Sequence, residues 1–128
     1  GKKLNITTVE SSKVATSDAS ANLVDLAKHK AVAAPVEGFL KLQIKQGLEL
    51  SGATVILDPP RAGAGKQVVD QLTFLKPKKV IYVACDPVSL ARDLKTFTAS
   101  GYRVETIRAF DLFPHTHHFE TIVSLVLE

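Results

Sequence analysis

The middle of the chain carries two short runs in which apolar residues follow one another almost without polar interruption. Residues 53–58 are ATVILD and residues 80–84 are VIYVA, and the second run leads directly into Cys85. Unbroken apolar runs of this kind are typical of strands that are buried on both faces, as in a parallel sheet. We therefore predict two central strands, with Cys85 at the end of the second.

Capping signals and helical spacing divide the rest of the chain. Asp86 suits an N-cap and Pro87 the first helical position, because a capping oxygen accepts free amide hydrogens and proline has none to satisfy. The predicted strands cover residues 4–10, 31–34, 53–58, 80–84, 102–110 and 119–127. The predicted helices run from Ser17 or Asp18 to near Lys30, and over residues 36–46, 66–75 and 87–99.

Alternation of strands and helices predicts an α/β fold with a doubly wound parallel sheet. The last two strands have no helix between them, so we expect them to pair antiparallel across the loop at residues 111–118. The chain has 128 residues, which suits one domain covering residues 1–128.

Four chemically active side chains fall at strand ends. Glu10, Asp58 and Cys85 each close a predicted parallel strand, and Glu120 opens the final antiparallel one. Ligands bind beyond the carboxyl ends of the strands in open α/β sheets. Because Cys85 also precedes a helix N-terminus, whose dipole favours a thiolate, it is a candidate nucleophile, although a lone cysteine is more often a small buried apolar residue.

Composition indicates a globular protein and argues against a disulfide-rich or membrane-spanning one. The chain is 45% hydrophobic and 23% charged, which is an ordinary globular balance. A single cysteine excludes an internal disulfide framework and suits a reducing compartment, so we expect a cytoplasmic location. No apolar run is long enough for a membrane helix, and the net charge of +3 permits an anionic partner.

Three ordered motifs resemble those of the RNA 5-methyluridine methyltransferases, which use S-adenosylmethionine to methylate carbon 5 of uridine in transfer or ribosomal RNA. They are DPPRAG at residues 58–63, YVACDP with LARDL at residues 82–87 and 90–94, and FDLFPHTHHFE at residues 110–120. The resemblance covers about residues 55–127, and extends more weakly upstream to VESS at residues 9–12. It implies a Rossmann-like class I methyltransferase sheet with an antiparallel terminal strand.

The resemblance also implies roles for individual residues. Cys85 is the expected nucleophile that adds to carbon 6 of uracil, and Glu120 is the expected base that removes the proton from carbon 5. Glu10 is expected to bind the ribose hydroxyl groups of S-adenosylmethionine, and Asp58 to lie where the cofactor meets the uracil. The expected partner is transfer or ribosomal RNA, and no metal ion is expected.

The sequence departs from the family pattern in two places. The family usually has asparagine where this chain has Asp86, and the chain begins at the second strand of the sheet. We therefore expect the first strand and the glycine-rich loop to be absent, and the chain by itself to be inactive. Unpaired strand edges expose backbone groups that can pair with another chain, so we also expect oligomerisation through these edges.

Other interpretations of the same residues stay open. Cys85 with a histidine would suit a cysteine hydrolase, although no motif supplies an oxyanion hole. A non-catalytic nucleotide- or RNA-binding module would need neither Cys85 nor Glu120. His115, His117 and His118 suggest an exposed turn rather than a zinc site, and Arg61 and Arg92 are candidate contacts to a phosphate.

Overall fold

A computed structural model describes residues 4–25, 28–112 and 119–128. Strands and helices alternate over most of this length, which confirms the predicted α/β class. The elements are β1 (Asn5–Glu10), α1 (Lys13–Leu23), β2 (Lys28–Ala33), α2 (Val36–Lys45), β3 (Thr54–Leu57), α3 (Lys66–Leu75), β4 (Lys79–Ala84), α4 (Pro87–Ala99), β5 (Tyr102–Phe110) and β6 (Glu120–Leu127). None of these helices combines the length and the apolar character needed to cross a membrane, as far as the described residues extend.

The chain divides into two compact units, residues 1–46 and residues 47–128. In the first unit, β1 and β2 pair in parallel, from Asn5 opposite Lys28 to Glu10 opposite Ala33. The second unit contains a four-stranded sheet in the order β3-β4-β6-β5. The assignment of residues 1–128 to one partial catalytic domain, and oligomerisation through strand edges, stay predictions.

The four-stranded sheet mixes both directions of pairing. β3 and β4 are parallel, with Leu57 opposite Tyr82. β6 lies between β4 and β5 and runs antiparallel to both. The predicted antiparallel pairing of the last two strands is therefore confirmed. It brings the beginning of β6 to the carboxyl end of β4.

The prediction that the central strands are buried on both faces is wrong. On β4, Val80, Tyr82 and Ala84 are buried, while the alternate residues keep some exposure. Ile56 of β3 is 68% exposed. The buried face is the one toward α4, because the Tyr82 hydroxyl donates a hydrogen bond to Asp93 of that helix.

The first helix and the second strand both begin earlier than predicted. Ser12, not Ser17 or Asp18, is the N-cap of α1, and its hydroxyl oxygen accepts a hydrogen bond from the Ala15 amide at 3.3 Å. The helix ends at Leu23 instead of continuing to Lys30. Residues 28–33 pair with β1 instead, because the ladder of backbone hydrogen bonds outweighs a weak helical pattern.

The predicted cap of α4 is confirmed. Asp86 is the N-cap and Pro87 begins the helix. The Ser89 amide donates to Asp86 Oδ2 at 2.9 Å. This backbone hydrogen bond, followed by one from the Ser89 side chain, lowers the pKa of Asp86 below its ordinary value of 3.8, because donors stabilise the charged carboxylate.

Replacing Asp86 tests this cap through the pH dependence of stability. A carboxylate whose pKa is lowered by folding stabilises the native state above its unfolded pKa, and this contribution is lost as the pH falls through the folded pKa. We expect Asp86→Asn, which caps a helix equally well, to keep stability at neutral pH and to lose less of it than the wild type below about pH 4. Thermal unfolding from neutral to acidic pH checks this, with Asp86→Ala as the variant that lacks a cap at every pH. Parallel curves for the wild type and Asp86→Asn would contradict the assignment.

Candidate active site

Cys85 lies in the turn between β4 and α4, as predicted. Ala84 is the last residue of β4 and Asp86 caps α4. The thiol is free and the residue is neither fully buried nor fully exposed. A substrate beyond the carboxyl end of β4 therefore has access to a thiol next to the positive end of a helix.

Glu120 is the first residue of β6, and Cys85 is the residue that follows the neighbouring strand β4. The last registered pair of β4 and β6 joins Ala84 to Thr121. Cys85 follows Ala84 and Glu120 precedes Thr121, so both flank this last pair at one end of the two strands. On its other side Glu120 pairs with Phe110 of β5.

Strand alternation assigns the Glu120 side chain to one face of the sheet. Val83 and Ile122 are a registered pair, so they share a face. Cys85 follows Val83 by two positions and Glu120 precedes Ile122 by two. Because side chains alternate along a strand, Glu120 belongs to the face of that pair, and Cys85 follows the end of β4 at the same edge of the sheet. At one edge of a sheet, a thiol can attack one atom of a planar substrate, and a nearby carboxylate can take a proton from the neighbouring atom.

Asp58 follows the last residue of β3. Leu57 is opposite Tyr82 in the parallel pair, so Asp58 lies beyond the same end of the sheet as Cys85. Its side chain is exposed. Asp58 begins the loop 58–65, which joins β3 to α3.

Glu10 ends β1 in the first unit and is exposed. Its Oε1 accepts hydrogen bonds from the Ser12 amide at 3.0 Å and from the Ser11 hydroxyl at 3.3 Å. Both bonds hold the carboxylate at the end of the strand, and both leave Oε2 available to hydroxyl donors of a ligand. An acceptor oxygen of this kind has the chemistry that the hydroxyl groups of a ribose require.

A buried carboxylate that the sequence interpretation missed lies behind loop 58–65. Asp93 of α4 is 1% exposed. Its Oδ2 accepts hydrogen bonds from the Tyr82 hydroxyl at 2.6 Å and from the Ala64 amide at 2.8 Å. Burial raises the pKa of Tyr82, and the hydrogen bond to Asp93 raises it further. Tyr82 therefore stays protonated and donates a hydrogen bond to the carboxylate.

Two further side chains of α4 bind carbonyl groups of the same loop. Ser89 Oγ donates to the Arg61 carbonyl oxygen at 2.7 Å, and Arg92 Nη2 donates to the Ala62 carbonyl oxygen at 2.6 Å. Arg92 also forms an ion pair with Asp93 at 3.2 Å. We call Tyr82, Ser89, Arg92 and Asp93 the loop clamp.

Both arginines that were candidate phosphate contacts interact with other groups of the chain. The guanidinium of Arg92 binds the loop and Asp93, although its side chain is still 55% exposed. The positive charge of Arg61 helps to lower the pKa of Asp86.

One sequence signal predicts the buried carboxylate. Leu90, Asp93 and Phe97 recur at the three- and four-residue spacing of one helix face, and all three are buried. A carboxylate on an apolar helix face requires partners, because burying an unpaired charge is costly. The histidines at positions 115, 117 and 118 lie outside the described residues.

Most of the chain matches one protein-family model. Residues 11–127 match the family described as tRNA (uracil-5-)-methyltransferase. An uncharacterized RNA methyltransferase of Streptomyces avermitilis is 46% identical over 134 residues, which cover 98% of this chain and 28% of the relative. Another, from Thermotoga maritima, is 41% identical over 94% of this chain and 27% of its own length. The chain therefore spans just over a quarter of the length of these relatives.

Solved structures agree with the family match. The tRNA (uracil-54, C5)-methyltransferase of Pyrococcus abyssi, in complex with S-adenosyl-L-homocysteine, superposes with a TM-score of 0.76 at 33% identity, over 96% of this chain and 29% of that one. Fibrillarin of Aeropyrum pernix, with bound S-adenosyl-L-methionine, gives a TM-score of 0.70 over 98% of this chain and 57% of that one, at 15% identity, which shows the fold alone. The α/β arrangement with antiparallel terminal strands is thus that of class I methyltransferases. Together with the family match over residues 11–127, it shows that the chain belongs to the tRNA (uracil-5-)-methyltransferase family of S-adenosylmethionine-dependent RNA methyltransferases.

Proposed function

We propose that the full-length protein containing this chain methylates carbon 5 of a uridine in transfer or ribosomal RNA. The methyl donor is S-adenosylmethionine, and the reaction proceeds through a covalent bond between Cys85 and carbon 6 of uracil. The chain by itself is inactive. The observation that carries the proposal is the register of β4 and β6, whose last pair, Ala84 and Thr121, directly precedes Cys85 on one strand and directly follows Glu120 on the other.

The chemistry explains why a thiol is needed. Carbon 5 of uracil is a weak nucleophile. When the Cys85 thiolate adds to carbon 6, a sulfur–carbon bond forms, and the electron pair of the double bond between carbons 5 and 6 moves into an enolate. S-adenosylmethionine, when bound, would supply an electrophilic methyl group: carbon 5 of the enolate would take this group as its bond to the sulfonium sulfur breaks, leaving S-adenosylhomocysteine.

A carboxylate completes the reaction. The Glu120 carboxylate accepts the proton from carbon 5, the double bond between carbons 5 and 6 forms again, and the Cys85 thiolate leaves. Side chains at directly opposed strand positions have Cβ atoms about 5 Å apart. We propose a similar separation for Cys85 and Glu120, which suits a pyrimidine ring whose carbon 6 meets the thiol while the neighbouring carbon 5 meets the carboxylate.

Glu10 and Asp58 are the residues proposed to meet the cofactor. Glu10 Oε2 accepts hydrogen bonds from the ribose hydroxyl groups, while its Oε1 is held by Ser12. Asp58 lies between the cofactor and the uracil at the end of β3. These roles follow the family resemblance, and the exposure of both carboxylates supports them.

Replacing Cys85 and Glu120 in the full-length protein separates this proposal from its alternatives. We expect Cys85→Ala to abolish methyl transfer and to form no covalent adduct with RNA containing 5-fluorouridine, in which fluorine blocks proton removal. We expect Glu120→Gln to slow turnover by about 10²- to 10⁴-fold and to accumulate a covalent adduct with ordinary uridine RNA. The measurements are methyl transfer and the mobility of denatured protein–RNA adducts.

Glu128→Gln is the matched control, because Glu128 follows the opposite end of β6. It should behave as the wild type. Methyl transfer that survives both Cys85→Ala and Glu120→Gln would contradict the mechanism. If the wild-type protein transfers no methyl group, a non-catalytic module is favoured, and acylation of Cys85 by an acyl probe would favour a hydrolase.

Replacing Glu10 tests the proposed cofactor contact. Removing a charged acceptor costs about 1.5–3 kcal/mol, so we expect Glu10→Ala to raise the KM for S-adenosylmethionine by at least about 10-fold with little change in kcat. Asp18→Ala, which removes an exposed carboxylate from α1, is the control. An unchanged KM for Glu10→Ala would exclude this contact.

A further inference from the structure

Loop 58–65 is bound to both sides of the segment that carries Cys85. Tyr82 precedes Cys85 by three residues, and its hydroxyl oxygen accepts a hydrogen bond from the Ala64 amide at 3.1 Å. Ser89 follows Cys85 by four residues and binds the Arg61 carbonyl group. The loop that begins with Asp58 is therefore attached before and after the nucleophile.

The loop approaches the clamp too closely for a side chain to fit between them. Gly63 has a φ of +83°, and a Cβ atom added there would lie 2.6 Å from Arg92 Nη2 and 2.7 Å from Asp93 Oδ2. Both distances are shorter than van der Waals contact. The backbone of the loop thus lies directly against Arg92 and Asp93.

The bonds to Asp93 need a carboxylate. Oδ2 accepts from the Tyr82 hydroxyl and the Ala64 amide, and Oδ1 accepts from Nε of Arg92 at 3.3 Å and from its Nη2 at 3.2 Å. All four partners are donors. An asparagine amide would turn one of the two acceptors into a donor group facing donors, whichever way it rotates.

We propose that Asp93, through the loop clamp, is a positioning residue that holds loop 58–65 and its Asp58 in a fixed place relative to Cys85. The inference rests on the proposed methyl transfer, because it concerns the geometry of that site. Asp93 is only 1% exposed, which leaves it no surface for a substrate to contact, and it acts through the loop instead. Its contribution is to keep the uracil and the cofactor aligned with the thiol, and a misplacement of about 1 Å is enough to lower a rate by about 10²-fold.

The test compares Asp93→Asn with two other variants of the full-length protein. We expect Asp93→Asn to lower kcat, and the rate of adduct formation with 5-fluorouridine RNA, by about 10²-fold, while the Kd for that RNA stays within about 3-fold of the wild type. Tyr82→Phe removes one hydroxyl and leaves the bond between Ala64 and Asp93, so we expect a smaller loss of roughly 5-fold.

Phe97→Leu controls for general destabilisation. Phe97 is fully buried on the same helix as Asp93 and contacts the ring of Tyr102 rather than the loop. We expect it to lower the unfolding temperature while its kcat, measured below that temperature, stays close to that of the wild type. If Asp93→Asn does not fold, Tyr82→Phe decides the question. Its kcat should then fall further than that of Phe97→Leu for the same decrease in unfolding temperature.

The outcomes separate this inference from the proposed function. The positioning role alone is overturned if Asp93→Asn forms the adduct at the wild-type rate. It is also overturned if Asp93→Asn and Tyr82→Phe lose no more kcat than Phe97→Leu does at equal stability. Methyl transfer that survives Cys85→Ala would overturn the proposed function, whatever Asp93→Asn does.

Discussion

The register of β6 between β4 and β5 is the constraint on which the candidate site depends. Val123 and Leu125 of β6 are fully buried and pair with Tyr82 and Val80 of β4. A slip of one residue would turn these apolar side chains to the opposite face, so the buried core fixes the register strongly. The same register pairs Ala84 with Thr121 and so brings their chain neighbours, Cys85 and Glu120, to one end of the two strands. Hydrophobic packing thereby influences the geometry at a polar site several residues away.

A second constraint comes from the buried carboxylate of Asp93. A charge with almost no solvent exposure is tolerated only with several donors, and Asp93 finds them in a tyrosine, an arginine and a loop amide. The side chains that satisfy this charge belong to the strand and helix on either side of Cys85. The stability of the core and the placement of loop 58–65 therefore rely on the same hydrogen bonds.

Much of the second unit was predictable from the sequence, because its local signals agree with its tertiary structure. Lys66–Leu75, Pro87–Ala99 and Tyr102–Phe110 have the predicted bounds, since capping residues, glycine or proline mark their ends. The first unit was predicted less well, because residues 28–30 form a strand only through pairing with β1. The locations of Cys85 and Glu120 at neighbouring strand ends followed from topology, whereas the loop clamp depends on contacts between residues about 30 apart in sequence, such as Ala64 and Asp93.

The proximity of residues 85 and 120 can be measured directly, because Cys85 is the one cysteine among the 128 residues. A disulfide requires Cα atoms within about 7 Å. Under mild oxidation of the folded chain, Glu120→Cys should lose both free thiols to an intramolecular disulfide, while Glu128→Cys, at the far end of the same strand, should keep them. Free thiols in oxidised Glu120→Cys, or equal disulfide formation in both variants, would contradict the shared site for nucleophile and base.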